Sequence, residues 1–533
     1  MTITKKDWQI YFPHQHVRDI QEKSIIFALN NILSNKNIVL EVTTGGGKSA
    51  IALTIAKWAM SNFPSTAQRG AYIITTQKTL QQQYVDDFPE IANIWSKSNY
   101  QCIHRKRMNC EEGQLMAKIF SGTKESDKCE TQCIYTSAYK QFLINPIGIT
   151  NMPYILNQIE YNFHSESPSL KKRQLLIVDE CHNIEQSIVD FVATKIDAIH
   201  CENDLALKFP DTFENISAAR EWVEASYIPA LESKIQEILS SIEKLNPRSS
   251  EMKSLTKQSS SLDKICCKTK RFLEKFDPDR WVMTQDPRFF EIKPIYASEF
   301  AHNCLFSLGE RVLLMSGTIL DNKTFCKNVG ISENDCSFMS LPSPFPVENR
   351  PIFFCPVGSM SYKNIDYSIK KMNSSVQKIM KEHEGQKGII HAHTYNIAKY
   401  IKDNDKTKRI LIHNSTNRSD ILEQHLNSRK DSVLISPSFT EGIDLYNDHS
   451  RFQILCKIPF PFLQDNYIKT KMARCKYWYE WQTVKTIVQS LGRSVRSESD
   501  YAVSYILDSD FEYFYKRNNF MFPDWFKEAM IFV

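Results

Sequence analysis

Three consecutive glycines followed by Lys-Ser constrain this chain more than any other segment. Gly45-Gly46-Gly47-Lys48-Ser49 lies between an aliphatic run, Ile38-Val39-Leu40, and an apolar stretch from Ala50 to Met60. The run reads as a buried strand and the stretch as a helix, so the glycines form a tight βα turn. Glycines let successive backbone N–H groups turn inward on an anion, and the helix N-terminus adds its dipole. Lys48 is spaced to reach the β- and γ-phosphates of a nucleotide, and the Ser49 hydroxyl to sit on Mg²⁺. Val42 breaks the strict G-x-x-x-x-G-K-[ST] pattern and leaves Thr44-Gly45-x-Gly47-Lys48-Ser49. The alternative is a glycine-rich turn that holds no ligand.

With 533 residues, the chain has room for three or four domains. Its 66 Lys+Arg against 61 Asp+Glu give +5, a balance compatible with nucleic acid without arguing for it. The segment Met1–Trp8 has no apolar signal core, and no run of 18 apolar residues occurs. A soluble, cytoplasmic protein without a membrane partner is expected. Fourteen cysteines in a reducing compartment are not expected to form a disulfide framework.

Further motifs follow in order. Ala71–Ile74 reads as a second strand, and Thr75, Gln77 and Thr79 at its end suit contact with a nucleic-acid backbone, or form an ordinary polar loop. Cys102, Cys110, Cys129 and Cys133 are separated by 7, 18 and 3 residues in a polar, loop-like stretch. Zinc and a [4Fe–4S] cluster both accept four thiolates, the spacing matches neither usual pattern, and coincidence stays open. Leu175–Val178 reads as a fully buried strand with Asp179-Glu180 at its tip. There Asp179 can hold Mg²⁺ through water and Glu180 can deprotonate the attacking water; capping a helix is the alternative. From 190 to 290 the pattern is helical. Leu231, Ile235, Ile238, Ile242 and Leu245 precede a polar stretch at 246–261, and Leu262, Ile265, Phe272 and Phe276 follow it. An antiparallel helical hairpin is predicted. Strands then alternate with helices through 311–318, 388–395, 409–413, 432–444 and 452–456, which implies a second parallel sheet. Near the end, Gln489, Arg493 and Arg496 share one helix face that can reach a nucleotide held by the other sheet; a solvated basic face is the alternative.

In this order the segments resemble motifs I, Ia, II, III, IV, V and VI of superfamily 2 helicases. Asp179-Glu180-Cys181-His182 departs from Asp-Glu-Ala-His only at Cys181. A four-cysteine segment between motifs Ia and II, and a helical segment between II and III, make the chain similar to the XPD/DinG family of iron–sulphur DNA helicases. Ser98-Asn99-Tyr100, Asn151-x-x-Tyr154 and the double Pro-Phe of 459–462 add to the likeness.

The resemblance implies two RecA-like α/β lobes. The first is made of 1–97, 151–189 and 291–322, interrupted by an iron–sulphur insertion at 98–150 and a helical arch at 190–290; the second is 323–533. It implies an ATP-driven 5′→3′ helicase acting as a monomer on single-stranded and forked duplex DNA, with Mg²⁺ and a [4Fe–4S] cluster on Cys102, Cys110, Cys129 and Cys133. Gly45, Gly46, Gly47, Lys48 and Ser49 would bind phosphates and Asp179 the Mg²⁺, with Glu180 as catalytic base. His182, Ser316 and Thr318 would couple hydrolysis to movement. Gly442 and Asp444 fall in motif V; Gln489, Arg493 and Arg496 in motif VI. Gln21 falls where the family contacts adenine, although Asp19 replaces the usual proline before it. Because the motifs begin near Met1, no N-terminal nuclease domain is expected. Two rivals remain: an ATPase that remodels protein–nucleic-acid complexes without separating strands, and a zinc-stabilised nucleic-acid-binding protein with an inactive ATPase site.

Overall fold

The computed structural model describes all residues except 1–2, 44, 106–107, 120–132, 164–168, 246–248, 415, 438–444, 446, 493, 496 and 498. In chain order, its first strands are β1 (Asn37–Glu41), β2 (Gln68–Thr75), β3 (Ala92–Asn93), β4 (Ile147–Asn151) and β5 (Arg173–Asp179). A short strand β6 (Thr194–Asp197) and a hairpin, β7 (Trp281–Asp286) with β8 (Phe289–Pro294), come next, then β9 (Gly309–Ser316) and β10 (Cys336–Ser340). Among the described residues, β10-β1-β9-β5-β2-β4-β3 form one parallel sheet. Every residue of β1 and β5 is buried, as expected for aliphatic strands covered on both faces.

A second parallel sheet, β13-β14-β12-β15-β16-β11-β17, is built from β11 (Ile352–Gly358), β12 (Gly388–His391), β13 (Ile410–Ile412), β14 (Val433–Ser436), β15 (Phe452–Leu455), β16 (Val503–Asp508) and β17 (Met530–Phe532). Two α/β lobes are therefore present. The lobe boundary differs from the expected 322/323. β10 pairs with β1 from Asn37↔Cys336 to Glu41↔Ser340, so the first sheet extends to Ser340 and the second begins at Ile352. As a half-buried edge strand, Cys336-Ser337-Phe338-Met339-Ser340 carries too weak an apolar pattern to announce itself.

The 190–290 segment holds the predicted hairpin, but the second helix starts earlier than the apolar pattern indicates. It spans Ser250–Lys275 and packs along Ile228–Glu243. The stretch read as a polar loop to 261 is thus mostly helix. Its inward face uses Thr256 as well as Met252 and Leu262, and Thr256 satisfies its hydroxyl on the Met252 carbonyl. The segment is not purely helical, because β6, β8 and β7 form a small antiparallel sheet. One apolar core runs from the first sheet through this segment to Trp481, Val484 and Ile487 on the second lobe's helix Trp478–Leu491.

Candidate nucleotide site between the lobes

The register of the first sheet gathers the motifs. Glu41 pairs with Ser316 and Asp179 with Met315, so the loops after β1, β5 and β9 leave the sheet at neighbouring carboxyl ends. Ligands bind at such a crevice in open α/β sheets. Here the crevice continues into a cleft of about 740 Å³, lined from the first lobe by Arg18, Gln21, Lys48 and Asp179 and from the second by Gln489 and Trp525.

The phosphate loop closes as the glycines dictate. Gly45 and Gly47 both adopt φ +81°, and Gly47 caps the helix Lys48–Asn62 in the left-handed conformation. Val42, the residue that breaks the strict pattern, is buried directly beneath Gly46; a Cβ there would stand 2.6 Å from Val42 Cγ1. Gln21 lies against Gly47, where a Cβ would approach Gln21 Nε2 to 2.1 Å. Gln21 Oε1 accepts from the Arg18 backbone N–H, and the Arg18 guanidinium donates to the Gly45 carbonyl at 2.7 Å. Residues before β1 thus brace the loop from outside.

Lys48 Nζ pairs with Glu180 Oε1 at 3.0 Å. Burial works against ionising Glu180, but the attraction of Lys48 and the His182 hydrogen bond outweigh it and hold this carboxyl below its usual range. Burial pushes Asp179 the other way, against the pull of Lys48. Glu180 also adopts φ +54°, an uncommon conformation for a residue with a Cβ and one that recurs at functional sites. From there a relay crosses the cleft. His182 Nδ1 lies 2.7 Å from Ser316 Oγ, which accepts from the Thr318 N–H. Gln489 Nε2 stands 2.7 Å from His182 Nε2 and donates to Thr318 Oγ1 at 3.0 Å. Gln489 thus links His182 and Thr318 from the other lobe.

The structure thus brings together Gly45, Gly46, Gly47, Lys48, Gln21, Asp179, Glu180, His182, Ser316, Thr318 and Gln489. Ser49 lines the same cleft. Arg493, Arg496, Gly442 and Asp444 lie outside the described residues. Gln77 and Thr79 line the same cleft. Thr75 does not serve as expected: it is fully buried and its hydroxyl donates to the Gln77 carbonyl, so it shapes the turn.

Three functional neighbours had no sequence signal. Tyr84 reads as an ordinary core residue of its helix, yet touches Asp179 at 2.9 Å. Glu185 receives Lys471 Nζ at 2.7 Å and the Trp478 indole N–H, a buried link between lobes. Arg18 was visible only as a neighbour of Gln21.

Comparison with known proteins agrees with this architecture. A family profile described as "Helicase C-terminal domain" matches residues 368–529, and one described as "Type III restriction enzyme, res subunit" matches 14–215. A solved structure titled "XPD_Helicase" superposes with TM-score 0.68 at 15% identity, covering 98% of this chain and 100% of that one. Xpd4 of S. tokodaii gives 0.61 at 13% identity, over 97% and 100%. The chain has the fold of these XPD structures. A probable ATP-dependent helicase of Methanocaldococcus jannaschii is 21% identical over 94% of this chain and 92% of its own length. The ATP-dependent DNA helicase YoaA of Escherichia coli is 24% identical over 35% of this chain, and DinG of Photobacterium profundum 26% over 45%. These last matches span only 30% and 36% of the relatives' own lengths.

The cysteine segment packs on the 190–290 hairpin. Glu111 pairs with Lys264 and accepts from Ser260, linking helices Cys110–Ile119 and Ser250–Lys275. Cys102, Cys110 and Cys133 are buried there, and Cys110 Sγ lies 3.4 Å from Cys133 Sγ. Gly113 leaves room for Cys102, whose Sγ would be 2.6 Å from a Cβ. Burial and the neighbouring thiol push Cys110 far up. At the N-cap of helix Ile134–Ile144, burial works against the Cys133 thiolate, but the Thr136 and Tyr135 N–H groups hold it below its usual range. Cys129 lies outside the described residues, and among those described no group of three or more His, Cys, Asp or Glu meets metal-binding geometry. No described helix is long and apolar enough to cross a membrane.

Proposed function

We propose that this chain is an ATP-dependent DNA helicase that moves 5′→3′ on single-stranded DNA as a monomer and opens forked duplexes. The observation that carries the reading is the Lys48–Glu180 pair beside Gln489, which reaches from the other lobe to His182 and Thr318. A site completed only when two lobes meet couples hydrolysis to relative lobe movement.

In this reading Gly45, Gly46, Gly47 and Lys48 hold the phosphates, Gln21 meets the adenine, and Gly442, Asp444, Arg493 and Arg496 complete the nucleotide side of the second lobe. Ser49 and Asp179 offer hard oxygen donors that suit Mg²⁺, which when bound offsets charge on the phosphates. Glu180 is the base. Before nucleotide binds, Lys48 neutralises it and weakens its basicity. When a γ-phosphate takes Lys48, Glu180 regains proton affinity at the moment a water must be deprotonated. Gln489 transmits the event through His182, Ser316 and Thr318. Gln77 and Thr79 contact the DNA backbone. The three buried thiols, with Cys129, have the donor chemistry of a [4Fe–4S] centre, which would tie together a segment with little core of its own.

A forked duplex with a single 5′ or 3′ arm, incubated with ATP and Mg²⁺, tests the function. Separation from the 5′-armed fork, lost in Lys48→Ala, is expected. Separation only from the 3′ arm overturns the polarity. ATP turnover without separation makes the chain a remodelling ATPase. Iron and acid-labile sulphide in anaerobically purified protein test the cluster: about four irons per chain, lost in Cys102→Ser, are expected, and zinc overturns it.

A further inference from the structure

Tyr84 sits on the helix Lys78–Asp87, whose other face lines the cleft through Thr79, Leu80 and Gln83. Its ring is fully buried beneath that cleft, edge-on to Phe88. The hydroxyl donates to Asp179 Oδ2 at 2.9 Å. A phenol has one proton to give. With it committed to Asp179, the phenol holds that carboxylate from behind the cleft. The other Asp179 oxygen accepts from the Glu180 N–H at 2.9 Å, so the carboxylate is fixed at both atoms.

We infer that Tyr84 is a positioning residue for the divalent cation: it fixes Asp179 and ties it to the helix that follows Gln77. The inference rests on the ATPase reading above. Groups that orient metal ligands from behind commonly govern affinity without touching the metal. The bridge also gives DNA at Gln77 and Thr79 a route to the cation site, since one helix carries both ends.

The test uses the full chain and its Tyr84→Phe variant, with binding of a fluorescent non-hydrolysable ATP analogue titrated against Mg²⁺ and repeated in EDTA. Tyr84→Phe is expected to raise the half-saturating Mg²⁺ about tenfold, to leave binding in EDTA unchanged, and to lower turnover at limiting but not excess Mg²⁺. An unchanged Mg²⁺ requirement in folded Tyr84→Phe overturns the inference, and core filling alone predicts that result. Should the variant not fold, 3-fluorotyrosine installed at position 84 gives a second reading. Its ¹⁹F resonance is expected to move when Mg²⁺ joins the bound analogue, and an unmoved resonance overturns the inference. Wild-type protein that binds no analogue with or without Mg²⁺ would instead overturn the ATPase reading.

Discussion

Glu185→Ala removes the centre of a buried inter-lobe contact. Glu185 lies on the helix Ile184–Val192 just after Asp179-Glu180, while its partners belong to the second lobe. Lys471 Nζ stands 2.7 Å from Oε1, with the two side chains 1% and 6% exposed. The Trp478 indole N–H is 3.1 Å from both carboxylate oxygens. Breaking one side of a buried ion pair costs about 3–5 kcal/mol, and an unsatisfied buried donor about 1–3 kcal/mol. Lys471 keeps the Ile295 carbonyl at 2.6 Å and the Tyr296 and Trp478 rings at 5.7 Å, so these losses do not simply add. A net loss of about 4 kcal/mol follows, confined to this contact because a two-lobed chain opens locally first. Hydrogen exchange in 184–192 and 466–478 should therefore accelerate about a thousandfold, at 1.4 kcal/mol per decade. Glu185→Met combined with Lys471→Met should recover most of the protection, leaving only the indole stranded. A change below tenfold in Glu185→Ala, or a double variant worse than the sum of the singles, would refute the reasoning.

The remaining predictions concern other parts of the site and the second lobe. Gly47→Ala should weaken ATP-analogue binding, and adding Gln21→Ala should relieve the steric part while leaving the left-handed backbone cost of about 1–2 kcal/mol; calorimetric titration separates the two. Gln489→Ala should lower kcat with little change in nucleotide affinity, because it touches His182 and Thr318 rather than the phosphate loop; a raised KM at constant kcat would contradict this. His425 in the second lobe is neutral, accepting at Nδ1 from Ser432 and donating from Nε2 to the His449 carbonyl, and burial lowers it to about 4. The unfolded chain takes up that proton first, near pH 6.5, so stability is full above 6.5 and falls by up to about 3 kcal/mol between pH 6.5 and 4. Urea midpoints against pH should show this slope, and His425→Gln should flatten it.

Much of the site is local and therefore legible without a structure. The glycines of the phosphate loop and the aliphatic strands that precede it and precede Asp179-Glu180 are patterns within a dozen residues, whereas the helix that carries Gln489 ends at Leu491, short of the expected face. Backbone conformation and burial periodicity act over that range. The small sheet β6-β8-β7 and the edge strand β10 were missed because their strands are half-buried and depend on partners elsewhere. The helix Ser250–Lys275 was cut short because its inward Thr256 looks polar, although its hydroxyl is satisfied by the helix itself.

What the sequence by itself determined is the inventory: a phosphate loop, an acidic strand tip, a glutamine-bearing helix, a cysteine-rich segment, and two α/β halves in a fixed order. Tertiary structure alone decided how they combine. Asp179 meets Tyr84 across 95 residues of chain, Gln489 meets His182 across 307, and Trp478 meets Glu185 across 293. Such contacts leave no periodicity, because each is one hydrogen bond between side chains whose neighbours in sequence serve other ends. Only packing two parallel sheets around a continuous core brings those atoms within 3.1 Å of one another.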